Sequence, residues 1–330
     1  MDAGAINETV VTSSVPPSDP SPARYPGGPL RGIVLKVISV CAFVVMATLL
    51  KATETIPAGE LVFFRCFFAI LPVVGYLALR RKLRSSLHTR DPWGHVVRAL
   101  VGVSSMGLGF FALTRMPLPE TTAIQYATPL LIVVFSAVLL KERVHAFRWT
   151  AVLVGLVGVV IILWPRLTVF SEGTMTDTAT VGAIASFSAA ILAAFAMMQV
   201  RKLVQTERTE AIVVYFFICA SILSLLTIPF GWVMPTPHQA VLLICAGFAG
   251  GVGQLLLTSC YRYADMSVIA PFEYVSLILT IIIGFVVFAD VPTVPMLVGA
   301  LIIVGSGIVV ILREHYLGLD RVKAREANTP

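Results

Sequence analysis

Long uncharged stretches alternate with short basic stretches along the chain. These uncharged stretches lie within ten apolar blocks, and each block is close to the length of about 17 to 25 residues that crosses a bilayer. The blocks run approximately over 32–50, 59–79, 95–114, 117–140, 148–165, 179–200, 210–232, 239–260, 265–289 and 293–312. Apolar and polar residues do not alternate with a period of two, so membrane helices are predicted rather than barrel strands. The pattern predicts an all-α integral membrane protein with ten transmembrane helices.

Composition agrees with this class. Of the 330 residues, 57% are hydrophobic and only 13% are charged, and the mean hydropathy is +0.90. Soluble domains carry about 25% charged residues. The chain is therefore expected to have the lipid bilayer as its surroundings.

The basic residues predict how the chain is oriented. With a cytosolic N-terminus, the outside connections hold only Lys51, Arg115 and Arg166 near their ends. The inside connections then hold Arg80, Arg81, Lys82, Arg84, Arg90, Lys141, Arg143, Arg148, Arg201, Lys202, Arg208 and Arg262. This positive-inside pattern predicts that both termini are cytosolic. The net charge of +6 follows from topology, so no nucleic-acid partner is expected.

An internal repeat divides the ten predicted helices into two sets of five. A shift of 148 residues places Gly102 on Gly250, Tyr126 on Tyr274 and Glu142 on Asp290, and a shift of 150 places Glu60 on Glu210 and Arg65 on Tyr215. Because five is odd, the second set must enter the membrane from the opposite side. Inverted repeats of this kind characterise secondary transporters, whose substrate site lies near the midplane between the repeats.

Three stretches carry a family resemblance: "IPAGELVFFRCFFAILP" at 56–72, "ALTRMPLPETTAIQYATPLLIVVFSAVLLKERV" at 112–144, and 269–314, which begins "IAPFEYVSLIL". They resemble the EamA-type members of the drug/metabolite transporter (DMT) superfamily. The resemblance implies gradient-driven or exchange transport of small organic solutes across the inner membrane. Family members carry amino acids, vitamins such as riboflavin, or S-adenosylmethionine. The loop acid departs from repeat symmetry, being Glu142 in one copy and Asp290 in the other.

The expected organisation has four parts. Residues 1–30 are rich in Pro, Ser and Gly and are expected to form a disordered cytosolic tail. Residues 31–165 and 166–314 are expected to form the two EamA-like repeats, and 315–330 a cytosolic C-terminal tail.

Arg65 and Glu273 are the charged residues expected deep within the spans. A charge at this depth costs about 2.5 to 3.5 kcal/mol on insertion scales, so each needs a partner or a watery cavity. In one interpretation both line a substrate cavity, where Arg65 binds an anionic or acceptor-rich group. In the other they lock the repeats together as buried polar groups. Because arginine keeps its proton, Glu273 is the candidate proton-coupling residue.

Four neighbours complete the candidate substrate site. Gln125 is the internal counterpart of Glu273, and Tyr126 and Tyr274 follow the two as a symmetric pair. Pro271 interrupts helical hydrogen bonding two residues before Glu273 and would free carbonyl groups. Cavity lining and ordinary helix packing both stay open for the tyrosines and Gln125.

The sequence therefore predicts a secondary transporter of a small organic metabolite, with protons as a candidate coupling ion. The aromatic residues around Arg65 and the paired tyrosines favour uptake of a planar vitamin or cofactor such as riboflavin. The alternatives are an amino-acid or metabolite exporter, an S-adenosylmethionine transporter, and a membrane receptor or structural assembly protein. The five histidines fall in or beside loops and no GxxxxGK[ST] loop occurs, so neither an enzyme nor a metal site or cofactor is expected.

Overall fold

The computed structural model describes residues 28–327 apart from 82, 84–86, 140–145, 172–177, 204–205, 261–262 and 264–268. All but the last three residues of the tail expected at 1–30 lie outside this set, and so does Glu142.

The described chain is built of α-helices joined by short connections. They are α1 Gly28–Lys51, α2 Ala58–Leu79, α3 Pro92–Leu113, α4 Leu118–Gln125, α5 Ala127–Leu139, α6 Ala146–Ser171, α7 Thr178–Leu203, α8 Thr209–Leu225, α9 Pro237–Cys260, α10 Val275–Phe288 and α11 Val294–Ala327. Two short 3-10 helices cover Ile228–Phe230 and Ala270–Tyr274. No strand occurs in the described residues, which confirms the all-α prediction.

Six helical segments are long and apolar enough to cross a membrane. They are Leu30–Lys51, Ala58–Leu79, Pro92–Leu113, Leu118–Leu139, Thr178–Val200 and Pro237–Cys260. Shorter apolar helices cover Trp149–Pro165, Glu210–Leu225, Phe272–Phe288 and Val294–Val310. Together these make ten apolar segments within the described ranges, as expected for a multi-pass membrane protein.

The repeats pack as two copies of one arrangement. Helix α1 lies along α9, and its counterpart α7 lies along α3. The Ser39 hydroxyl donates to the Gly253 carbonyl at 2.7 Å, and the Ser105 hydroxyl donates to the Ala189 carbonyl at 2.8 Å. Positions 39 and 189 are 150 apart and positions 105 and 253 are 148 apart, the shifts that align the repeats. The same pair of positions is therefore hydrogen-bonded in both halves, with the donor on the first helix in one and on the third helix in the other.

Each repeat also breaks its fourth span at the same place. Helix α4 ends at Gln125 and α5 begins at Ala127, while the 3-10 helix Ala270–Tyr274 gives way to α10 at Val275. Pro129 contributes to the first break because it has no N–H to donate to the Gln125 carbonyl. The breaks meet inside the protein, where the rings of Tyr126 and Tyr274 lie 5.1 Å apart.

Glycines let α2 and α9 approach closely. A Cβ built at Gly247 would lie 2.7 Å from the Phe64 carbonyl oxygen, and one at Gly251 would lie 2.7 Å from that of Ala69. Small residues commonly bring membrane helices into such contact. Because α2 and α9 come from different repeats, this contact joins the two halves beside Arg65.

Candidate functional site

A cavity of about 430 Å³ lies between the repeats. Helices α2, α3, α4, α5, α7, α8 and α9 contribute to its wall, together with Ala47 of α1. Its polar and aromatic lining includes Arg65, Arg98, Gln125, Gln254, Phe110 and Phe216. A volume of this size falls within the range of about 300 to 1,000 Å³ that is usual for small-molecule sites.

Arg65 reaches the cavity from the middle of α2 and is only 6% exposed. Its guanidinium carbon lies 5.1 Å from the centre of the Phe217 ring, and its Nη1 lies 3.7 Å from the Cys66 sulfur. Its Nε is buried and has no hydrogen-bond acceptor among the described residues. Arg65 is therefore held by aromatic and sulfur contacts that leave a strong donor unused.

Arg98 enters the same cavity from the second turn of α3. The helix begins sharply because Pro92 occupies its first position and the Asp91 carboxylate accepts from the Gly94 N–H at 2.8 Å. The Arg98 guanidinium carbon lies 4.2 Å from the centre of the Phe216 ring. Its Nε and Nη1 are buried without an acceptor in the described part of the chain.

Gly102 makes room for the Arg98 guanidinium, since a Cβ there would collide with Arg98 Nη1 and with the Phe216 ring. Its repeat counterpart Gly250 lies beside the other arginine, and a Cβ there would be 3.5 Å from Arg65 Nε. Glycine at position 102 therefore leaves space for the Arg98 guanidinium. At position 250 it leaves space for the Met46 sulfur, which would lie 2.8 Å from the added Cβ, while Arg65 would be at ordinary van der Waals distance.

The charged side chains among the described lining residues of the cavity are all positive. Two guanidinium groups line the same cavity. No carboxylate belongs to the described residues that line the cavity. Arginine keeps its charge, and its planar set of donors matches the oxygens of carboxylates and phosphates. The lining is therefore suited to an anion.

Gln125, one of the candidate residues of the sequence analysis, also lines the cavity. Its side-chain amide donates to the Ser186 carbonyl at 3.1 Å and approaches the Ser186 hydroxyl at 3.4 Å. This contact ties the break of the first repeat to α7 of the second.

Glu273 is placed elsewhere, in an ion pair with Lys36 of α1. The Lys36 side chain is 3% exposed, whereas that of Glu273 is 52% exposed. Neither is among the described residues that line the cavity. Of the two charges singled out in the sequence, the structure brings Arg65 to the cavity and Glu273 to Lys36.

The remaining candidates surround Glu273. The Tyr126 hydroxyl donates to the Glu273 carbonyl at 2.9 Å and contacts the Ser276 hydroxyl. Tyr274 packs against Tyr126, and Pro271 lies in the 3-10 helix that holds Glu273. These residues connect the two helix breaks, one of which carries the cavity residue Gln125.

Sequence reasoning missed Lys36 and Arg98. Both lie near the expected start of a span, where a basic side chain is expected at the membrane–water interface. The helices begin earlier than expected, at Gly28 and Pro92, which moves Lys36 to the third turn and Arg98 to the second. The aromatic residues next to Arg65 in the sequence are not the ones that line the cavity. Phe63 and Phe67 stack on each other with ring centres 5.3 Å apart, whereas Phe110 and Phe216 line the cavity.

Glu207 holds together two connections outside the spans. Its carboxylate accepts from the Thr89 hydroxyl at 2.9 Å and from the N–H groups of Arg90 at 2.5 Å and Asp91 at 2.8 Å. Desolvation raises the pKa of Glu207, but these hydrogen bonds outweigh it, so the pKa lies below its ordinary value. The ionised carboxylate thus stabilises the start of α3.

Comparison with known proteins places the chain in a family. The EamA-like transporter family matches two segments, residues 30–164 and 180–313. The chain belongs to the EamA-like transporter family. As such it is a small-metabolite transporter of the DMT type and not an enzyme.

Relatives of this EamA-like transporter differ in what their names say they carry. The chain is 29% identical over 278 residues to the pseudopaline exporter CntI of Pseudomonas aeruginosa (strain UCBPP-PA14), covering 83% of this chain and 93% of the exporter. It is 28% identical over 283 residues to the riboflavin transporter of Vibrio cholerae, covering 84% and 92%. It is 27% identical over 260 residues to the S-adenosylmethionine uptake transporter of Rickettsia bellii, covering 77% and 84%.

One solved crystal structure shares the fold with a TM-score of 0.61 at 21% identity, over 85% of this chain and 96% of the other. At this identity the likeness concerns architecture alone.

Proposed function

We propose that this EamA-like transporter carries a small organic anion that binds between Arg65 and Arg98. The observation that supports the proposal is the presence of two guanidinium groups in one cavity, each with a buried donor that lacks an acceptor among the described residues. A buried charge without a partner is costly, and a bound anion would offset that cost for both arginines at once. Gln125 and Gln254 supply further polar groups for the same solute.

Riboflavin uptake is the second candidate. The riboflavin transporter of Vibrio cholerae is among the relatives, and Phe110 and Phe216 line the cavity where a planar ring system could stack. Riboflavin carries no charge at neutral pH, however, and would leave both guanidinium groups without a counter-ion. S-adenosylmethionine has one carboxylate that an arginine could bind, but its ammonium and sulfonium groups give it a net positive charge, which two arginines would repel. The lining therefore favours an anion over either compound.

We also propose an inner-membrane location with both termini in the cytosol. The excess of lysine and arginine in one set of connections supports this orientation. Reporter fusions after α2 and after α3 would test it, since these ends are expected on opposite sides. Cytosolic activity for the α3 fusion would contradict the proposed orientation.

Counterflow in proteoliposomes tests the transport proposal. Vesicles loaded with unlabelled solute receive labelled dicarboxylates, riboflavin or S-adenosylmethionine in separate runs. We expect accumulation of at least one dicarboxylate and its loss in Arg65→Gln/Arg98→Gln. Arg80→Gln is the matched control, because Arg80 follows α2 and packs on Tyr76 instead of the cavity. Exchange of riboflavin alone, unaffected by the double substitution, would remove the anion proposal.

A further inference from the structure

The Lys36–Glu273 ion pair has an uncharged copy in the other half of the protein. Positions 36 and 186 are 150 apart, and positions 125 and 273 are 148 apart, so Gln125 and Ser186 occupy the equivalent places. The Gln125 amide donates to the Ser186 carbonyl at 3.1 Å, whereas at the other place Lys36 of the first helix donates to Glu273 of the fourth span. Each contact joins the first helix of one repeat to the broken fourth span of the other. Repeat symmetry thus preserves the contact while its charge differs.

Glu273 can exchange a proton with water, and the buried Lys36 ammonium depends on the negative charge of Glu273. The carboxylate side chain is half exposed, whereas the ammonium side chain is almost fully buried. The other titratable groups facing Glu273 in the described chain are Tyr126, from the break of the first repeat, and Tyr274, beside Glu273 itself. A buried ammonium group that loses its counter-ion must regain a partner or reach water.

The ion pair is also connected to the cavity. Tyr126 donates to the Glu273 carbonyl and follows Gln125 directly in the chain. Gln125 lines the cavity and holds α7 through Ser186. A displacement of the 3-10 helix that carries Glu273 would therefore act on the break that carries Gln125.

We propose that Lys36 and Glu273 form the proton-coupling site of this transporter, and that Gln125 and Ser186 form its proton-insensitive counterpart. One proton from the water adds to the Glu273 carboxylate and gives the neutral acid. Lys36 then lacks its counter-ion, so the contact between α1 and the 3-10 helix loosens. The equivalent contact in the other half keeps its strength, because neither the Gln125 amide nor the carbonyl and hydroxyl groups of Ser186 titrate in this range. This inference rests on the proposed transport function and adds its coupling.

A symmetrised variant, Lys36→Ser/Glu273→Gln, tests the proposal by giving both halves the same uncharged pair. The readout is alkylation by a water-soluble maleimide of a cysteine introduced at Met197, a half-exposed cavity residue, in liposomes at acidic and at neutral pH. Labelling is corrected for the five native cysteines with protein that retains Met197. The probe needs no transported solute, so its outcome is independent of which anion is carried.

We expect acidification to change labelling of Met197→Cys by about threefold or more beyond the intrinsic effect of pH on the thiol, because the population of conformers shifts. The symmetrised variant shares that intrinsic effect and should show nothing further. Lys51→Ser/Glu54→Gln is the matched control, since it removes another ion pair of the same composition, at 3.3 Å, with a mostly buried lysine and a half-exposed glutamate. It should respond to pH like the parent.

Two results would overturn the coupling proposal: an equal response to pH in the symmetrised variant, or no response beyond thiol chemistry in the parent. If the symmetrised protein fails to fold, Lys36→Leu/Glu273→Met gives an apolar pair of similar volume for the same measurement. Failure of the transport proposal would appear separately, as absence of anion counterflow in the unsubstituted protein.

Discussion

The Gln125–Ser186 and Lys36–Glu273 contacts occupy equivalent places in the two repeats but differ in charge. The backbone around them is closely conserved between the halves, since both fourth spans break at the same position and both breaks carry a tyrosine. Duplication has therefore kept the helix arrangement, and substitutions have left a charged contact in one half and an uncharged contact in the other. The two repeats therefore share one helix arrangement but differ in the charge of the side chains at equivalent positions.

The same contrast recurs in the connections outside the spans. Glu207 binds Thr89, Arg90 and Asp91 through an ionised carboxylate. The equivalent connections of the other half meet through an uncharged bond, in which the Gln239 amide donates to the Thr55 hydroxyl at 2.8 Å. A protonatable contact is thus again confined to one of the two equivalent places.

The largest expected effect comes from the cavity arginines. Arg65→Gln should lower anion affinity on the order of a hundredfold and Arg98→Gln about tenfold, since a hydrogen bond to a charged group contributes about 1.5 to 3 kcal/mol. Gly102→Ala should resemble Arg98→Gln, because the added methyl group displaces the Arg98 guanidinium. Binding of labelled anion to purified protein measures all three. Unchanged affinity in Arg65→Gln would show that the solute binds elsewhere.

The next effect concerns the ion pair and its uncharged copy. Glu273→Gln leaves Lys36 buried without a counter-ion and should destabilise the protein by about 2 kcal/mol, less than a fully buried pair because Glu273 is half exposed. Adding Lys36→Ser should restore most of this loss. Ser186→Ala, at the uncharged copy, should cost about 0.5 kcal/mol or less, since the Ser186 carbonyl remains as the main acceptor.

Thermal unfolding in detergent measures these differences. Equal losses in Glu273→Gln and Ser186→Ala would abolish the contrast between the two contacts.

A smaller effect is expected from pH at Glu207. Its folded-state pKa lies below the unfolded value of about 4.3, so its contribution is fully present above that value and is lost as pH falls through the folded pKa. Glu207→Gln should therefore lower stability at neutral pH and flatten this part of the acid dependence. Melting temperatures of both proteins across an acidic series provide the measurement, with Gln239→Ala as the control that should leave the dependence unchanged. A parallel pH curve in Glu207→Gln would contradict the assignment.

The smallest effect should be the same in both halves. Ser39→Ala and Ser105→Ala each remove one hydroxyl-to-carbonyl bond between equivalent helices, so each should cost about 0.6 kcal/mol. Their equality matters more than their size, because these contacts belong to the part that duplication preserved. A difference above about 1 kcal/mol would indicate that the helix packing is itself asymmetric.

The fold was predictable because its signals are long and repetitive. Apolar blocks of membrane-spanning length predict helices, and the alignment of Tyr126 with Tyr274 predicts two copies of one unit. The interruption predicted at Pro271 lies in the 3-10 helix that forms the break of the second repeat. Residues 148 to 150 apart in sequence do occupy equivalent places in the structure. Ser39 corresponds to Ala189 and Ser105 to Gly253, and the bonds Ser39–Gly253 and Ser105–Ala189 join the same two places in each half.

The site was less predictable because it depends on helix starts and on pairing between distant segments. A difference of three or four residues at a helix start makes Lys36 and Arg98 look interfacial, although Lys36 is buried and Arg98 lines the cavity. The partner of Glu273 lies 237 residues away and belongs to the first helix of the other repeat. Depth along a helix can place a charge within the membrane, but it cannot tell which neighbouring helix supplies the counter-ion.

The most direct test of the central claim is binding of matched anionic and neutral solutes to the purified, unsubstituted protein. A series of dicarboxylates of increasing length is compared with the corresponding diamides, which keep the shape and lose the charge. We predict that at least one dicarboxylate binds at least tenfold more tightly than its diamide, and that Arg65→Gln/Arg98→Gln removes the difference. Equal binding of acids and diamides, or a preference that survives the double substitution, would contradict an anion site between the two arginines.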